Sequence, residues 1–316
     1  MTAKRTIVLM LSAMLLAAFA TGGAAGKPGL EEDGEKIVMS NEHVRVWFQG
    51  KKPMLKVFPA NENDESAYEY HFTDVVEYRD VDGDGGPADQ EVVATLNLNK
   101  ASAWNVTRVE EEGSVTLNLT MSAPVRLGRG VDLPQNVSLP AEDATVSLVF
   151  RIFDEETTLD AGNETVTVAR TAIKYDFIVS SWPFVDADAN RLALETLVGG
   201  MIELENGTGA AQVSVNGTQV GALTWIQNAT GTDAEGAAID VPVRTTVALE
   251  EDNMSRLVFT YDAPGLSTLV HDPTIGTTGE SGPIESGAGG DNAVPMPAVA
   301  LVAIGAGAAA LATRRR

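Results

Sequence analysis

Residues 44–48 read Val-Arg-Val-Trp-Phe, and residues 166–170 read Val-Thr-Val-Ala-Arg. In both, apolar side chains return at every second position, the period that places them on one face of a β-strand. Runs of the same character, rich in Val, Ile, Thr and aromatics and bounded by Gly, Pro, Asn and Asp, recur at 68–78, 91–98, 115–121, 145–153, 165–179, 211–215, 241–249 and 256–261. No long amphipathic helix interrupts them; residues 189–197 (ANRLALETL) are the best short helical candidate. The pattern predicts an all-β protein, an antiparallel β-sandwich body over residues 36–271. The Gly- and Pro-bearing loop 127–143 (LGRGVDLPQNVSLPAED) leaves open one extended sandwich or two smaller ones.

Both ends of the chain have a different character. Residues 1–26 place Lys4 and Arg5 ahead of an apolar run from Ile7 to Ala20 that ends in small residues, the layout of a secretory signal peptide. A polar lead-in, 27–35 (KPGLEEDGE), follows it. Residues 272–293 are rich in Gly, Ser, Thr and Pro and read as a stalk, whose flexible reach would be roughly 25 Å. Residues 294–313 (VPMPAVALVAIGAGAAALAT) are charge-free and long enough to span a bilayer, and Arg314, Arg315 and Arg316 follow at once. Arginines hold the cytoplasmic side, so the expectation is type I topology, with the body on the outer face of the cell membrane or envelope and a transmembrane helix as its membrane contact. This tail, a Pro-containing signature (Val294-Pro295-Met296-Pro297) before an apolar helix and a terminal Arg cluster, resembles the tripartite sorting tails of bacterial PEP-CTERM proteins and archaeal PGF-CTERM surface glycoproteins. The resemblance covers about the last 23 residues, with VPMP standing where those families carry PEP or PGF. It implies a surface glycoprotein, held at or sorted to the envelope.

Charge narrows the function classes. Between the ends, residues 27–292 hold 17 basic and 44 acidic side chains, a net charge near −27. Such a surface repels phosphate backbones, which excludes nucleic acid as a partner, and it keeps a chain soluble in high salt by self-repulsion. Cysteine is absent, so neither disulfides nor thiolate metal sites support the body. Asn-X-Ser/Thr sequons begin at Asn105, Asn118, Asn136, Asn163, Asn206, Asn216, Asn228 and Asn253, eight of 15 asparagines. Chance would supply roughly two, and the excess predicts N-glycosylation of loops and exposed strand faces.

One loop carries chemistry in its spacing. Residues 80–91 (DVDGDGGPADQE) place Asp80, Asp82 and Asp84 at positions 1, 3 and 5 of a calcium loop, Gly85 at position 6, the carbonyl of Gly86 at position 7 and Glu91 at position 12. Calcium takes six to eight oxygens; alternating carboxylates fold around it, glycine permits the sharp turn, and the last glutamate closes the shell. Pro87 at position 8 and the flanking strands depart from a helical EF-hand, and the loop resembles the Asp-rich calcium loops of β-rich surface proteins. The expected role of Ca²⁺ is structural. A second acidic stretch, 186–190, lacks the glycine and the closing acid and reads as a turn or helix start.

Other chemistries find less support. His43, His71 and His271 are scattered, and neither GxSxG nor HExxH occurs, so no catalytic residue is assigned and an enzyme is not expected. The expectation is a cell-envelope surface glycoprotein with a structural or adhesive role, associating with itself or with other envelope components. The alternatives are a surface-tethered carbohydrate- or solute-binding module using Trp47, Trp104, Trp182 or Trp225, and, more weakly, an extracellular hydrolase with two convergent carboxylates.

Overall fold

Alternation becomes burial. Val44, Val46 and Phe48 are buried while Arg45, Trp47 and Gln49 turn away from the core, and most strands repeat the device. The computed structural model describes residues 28–277, apart from 34–35, 50–51, 62–66, 101–103, 129–142, 162–163, 187–188, 190, 206–208 and 264. The signal segment, the apolar tail and the sequons at Asn136, Asn163 and Asn206 therefore lie outside the described residues. Among the described residues no helix is long and apolar enough to cross a membrane. The chain divides into units 1–286 and 287–316, and every described residue belongs to the first.

The strands run β1 (Gly29–Asp33), β2 (Lys36–Ser40), β3 (Val44–Gln49), β4 (Met54–Pro59), β5 (Tyr68–Tyr78), β6 (Val92–Asn97), β7 (Asn105–Glu111), β8 (Ser114–Ala123), β9 (Arg126–Leu127) and β10 (Ala144–Phe153). They continue with β11 (Thr157–Ala161), β12 (Glu164–Val168), β13 (Ala172–Ser180), β14 (Arg191–Gly199), β15 (Met201–Glu205) and β16 (Ala210–Val215). The last six are β17 (Thr218–Thr224), β18 (Asn228–Thr232), β19 (Ala238–Leu249), β20 (Met254–Asp262), β21 (Thr268–His271) and β22 (Thr274–Thr277). Every pairing among the described residues is antiparallel, so the described body is all-β, as its alternation predicts.

Two sheets form. The first runs β1-β2-β3-β4-β5-β14-β20, and β6 and then β9 continue the edge of β5 beyond β4. The second runs β7-β8-β10-β13, whose far edge is shared by β22, leading to β17, β16 and β15, and by β21, leading to β18. β19 belongs to both: residues 238–242 pair with β18, and from Val243 onward it pairs with β20. The sheets pack face to face in a sandwich-like arrangement. Across them Phe48 meets Phe150 at 4.8 Å, Phe72 meets Tyr175 at 5.2 Å, and Phe177 stacks on Tyr261 at 6.0 Å. Edge-on and offset ring pairs of this kind add about 0.5–1.5 kcal/mol each to the area they bury.

Three sequence expectations change. Residues 189–197 are not helical; Arg191–Gly199 is the strand between β5 and β20. Leu192 and Leu194 enter the main core and Ala193 an outer cluster with Val76, Tyr78 and Val258, so burial on both faces mimics helical spacing. The body also extends past both expected borders. Residues 29–33, read as lead-in, pair with β2, and Thr274–Thr277, read as stalk, lies between β13 and β17 with Ile275 fully buried. Short strands rich in Gly and Thr carry too few large apolar residues to stand out from a linker. The loop 127–143 joins strands of one ladder, since β8 and β10 pair along ten residues from Ala123↔Ala144 to Ser114↔Phe153.

Candidate metal centre

The acidic loop connects β5 to β6 and folds back on the outer face of the first sheet. Its anchor is the carbonyl of Gly85, which accepts hydrogen bonds from the Tyr78 hydroxyl at 3.0 Å and the Thr260 hydroxyl at 2.8 Å. Gly83 and Gly85 adopt φ of 76° and 84°, the left-handed region that glycine enters without a Cβ penalty. Gly85 is thus the turn residue that position 6 demands.

Asp80, Asp82 and Asp84 converge, with one carboxylate oxygen from each within 4.8 Å of the others. Local bonds orient them: Asp80 Oδ1 accepts from Gly85 N at 3.4 Å, Asp82 Oδ1 from Asp84 N at 3.2 Å, and Asp84 Oδ1 from Gly86 N at 2.8 Å. Like charges at that separation repel by about 1 kcal/mol per pair even at the dielectric constant of water. Asp80 is partly compensated, because Arg191 Nε lies 3.2 Å from its Oδ2. Arg191 also sets Nη1 2.8 Å from Asp262 Oδ1, and neither contact has hydrogen-bond angles.

Glu91 does not join the three aspartates. It is 3 % exposed, and its Oε1 accepts from Val81 N at 2.8 Å and Asp82 N at 3.4 Å while Oε2 accepts from Ala88 N at 3.2 Å. It closes the loop through main-chain N–H groups, where the spacing predicts a metal ligand. Gly86 lies beside Asp84, and the donor set that fits a hard divalent cation is the three-carboxylate cluster.

In the second acidic stretch the described acid is Asp186, beside the same strand β5. Asp186 pairs with Arg79. Buried Glu77 receives the Trp182 indole N–H at 3.0 Å and the backbone N–H groups of Val185 and Asp186 at 3.0 Å each. Burial pushes its carboxyl above the usual range, against the pull of those donors. Arg191, Glu77 and Thr260 escape a sequence reading because their partners stand 71 or more residues away in the chain.

Among the sequons, Asn105, Asn216, Asn228 and Asn253 are exposed, and Asn118 is half-buried on β8. Asn216 and Asn253 have φ of 52° and 58°, positions in tight turns. Trp104 and Trp182 are buried, Trp225 packs edge-on against Phe259 and Trp47 against Phe58. His271 is fully buried with Nδ1 2.8 Å from the Tyr261 hydroxyl; burial, with the Lys174 ammonium, pushes its pKa down to about 3, so it stays neutral. No protein-family model matches the chain, and no curated protein matches it in sequence.

Proposed function

We propose that this protein is an exported surface glycoprotein of a cell envelope, tethered by its C-terminal apolar segment, with a structural or adhesive role and a structural Ca²⁺ at Asp80, Asp82 and Asp84. The observation that supports the metal most directly is the convergence of three carboxylates held by backbone N–H groups of their own loop. A hard divalent ion would relieve their repulsion and tie together the outer face of the first sheet, while Glu91 shapes the loop from behind. The apolar segments at both ends, the eight sequons and the strongly acidic body support the export, membrane and glycosylation parts of the reading.

Thermal melting of the purified protein in calcium and in EDTA tests the site. At a hundredfold excess of ion over Kd, calcium should stabilise by about 2.7 kcal/mol, a rise of roughly 5–10 °C in Tm. Asp82→Ala should abolish that rise and leave the Tm in EDTA unchanged, because Asp82 is exposed and its bonds are local. Equal melting of both proteins in calcium would remove the site. Protease digestion of intact cells tests the location, since the body should be cleaved from outside.

A further inference from the structure

Residues 172–179 read Ala-Ile-Lys-Tyr-Asp-Phe-Ile-Val, a strand whose apolar run is broken by a Lys and an Asp two positions apart. Ile173, Tyr175 and Phe177 point into the core between the sheets, leaving Lys174 and Asp176 together on the outer face of the second sheet. That face is not wet here: Lys174 is 1 % exposed and Asp176 6 %. Lys174 Nζ sits 2.6 Å from Asp176 Oδ1, 2.7 Å from Asp272 Oδ1 and 3.1 Å from the carbonyl of Tyr175. Asp272 lies in the two-residue link between β21 and β22, so the contact joins segments 98 residues apart. Both carboxyls thus flank the same Nζ. Arg151 Nη1 reaches Asp176 Oδ2 at 2.8 Å and completes the group.

Burying two full charges costs more than their attraction returns unless each is well solvated by its neighbours, and a neutral amide in the same volume escapes that cost. We propose that Lys174 Nζ and Asp272 Cγ condense to an intramolecular amide, with Asp176 as the proton carrier. The amine nitrogen attacks Asp272 Cγ, the Nζ–Cγ bond forms and one Cγ–O bond breaks. Two of the three ammonium protons leave with that oxygen as water, so an ammonium and a carboxylate become an amide and one water without oxidant or cofactor. Asp176 and Asp272 flank the same Nζ, so Asp176 takes a proton from it and delivers it to the leaving oxygen of Asp272. Burial outweighs Lys174 and Arg151 and holds Asp176 above the usual carboxylate range, while for Asp272 the opposing burial is outweighed by Lys174, which holds it below that range. The cross-link fastens β22, the last described strand, to β13 in a chain that has no cysteine for the purpose. It is independent of the calcium site.

Peptide mapping of the purified, full-length protein after denaturation tests this directly. An acylated Lys174 resists trypsin, so the expected product is peptide 171–191 joined to the peptide that begins at Leu257, lighter than their sum by one water. D176N should lose the joined product and restore cleavage after Lys174. Full recovery of separate peptides 171–174 and 175–191 from the unmodified protein would overturn the cross-link. A joined product retained in full by D176N would overturn the role of Asp176.

Discussion

Glu195 stands on β14 in the middle of the first sheet, with Arg256 Nη1 3.5 Å from its Oε1 as its charged partner. Burial pushes its pKa up to about 7, Arg256 pulls it down, and the nearby Asp74, Asp89 and Glu250 push it further up. A raised carboxyl binds its proton more tightly folded than unfolded, so its contribution is complete below about 4.5 and is lost as pH rises through about 7. Glu195→Gln should flatten that slope and leave the variant more stable than the parent at pH 8, by up to roughly 3 kcal/mol; denaturant titrations at pH 5 and pH 8 check it. Glu77 behaves differently on mutation, because three donors converge on it. Glu77→Ala should cost about 2–4 kcal/mol by stranding them, seen as a lower denaturation midpoint. The acidic cluster is legible in the sequence because its aspartates and its turn glycine lie within six residues. Glu91 is misread for the same reason: spacing names the residue at position 12, while its three N–H partners depend on how the main chain folds around Pro87.

At the scale of elements, strands with one wet face announce themselves and strands buried on both faces do not. β3 and β8 alternate cleanly and are legible; β14, covered on both sides, carries the apolar spacing of a helix. β22 is short and its register is set by neighbours from distant parts of the chain, Ile173↔Ile275 on one side and Leu223↔Ile275 on the other. Two versions of the body locate the true border. One ending after Thr277 should melt cooperatively, whereas one ending after His271 should lose native tertiary structure in near-ultraviolet circular dichroism, since it lacks the strand joining β13 to β17. Gly221, where β17 meets β22, tests the same seam more gently. A Cβ there would come within 2.4 Å of the Tyr68 ring and 2.8 Å of the Gly276 carbonyl. Gly221→Ala should therefore cost about 1–3 kcal/mol in chemical denaturation, the usual penalty for overpacking.

For the whole molecule, the large excess of carboxylates over basic groups makes self-repulsion a standing load on the folded state. Salt shortens the reach of that repulsion from about 8 Å at 0.15 M to 3 Å at 1 M. Raising sodium chloride across that range in EDTA should raise the Tm, and a flat response would show that the surface charges are already offset locally. The link between the sheets bears on how the molecule comes apart. β19 changes partners at Pro242, pairing with β18 before it and β20 after it, so one unbroken backbone is hydrogen-bonded into both halves of the body. A crack opening in either half must run through that shared strand and strip the other of a neighbour. Peeling should not proceed layer by layer: a pull along the chain should meet a single yield point, with both halves failing in one event.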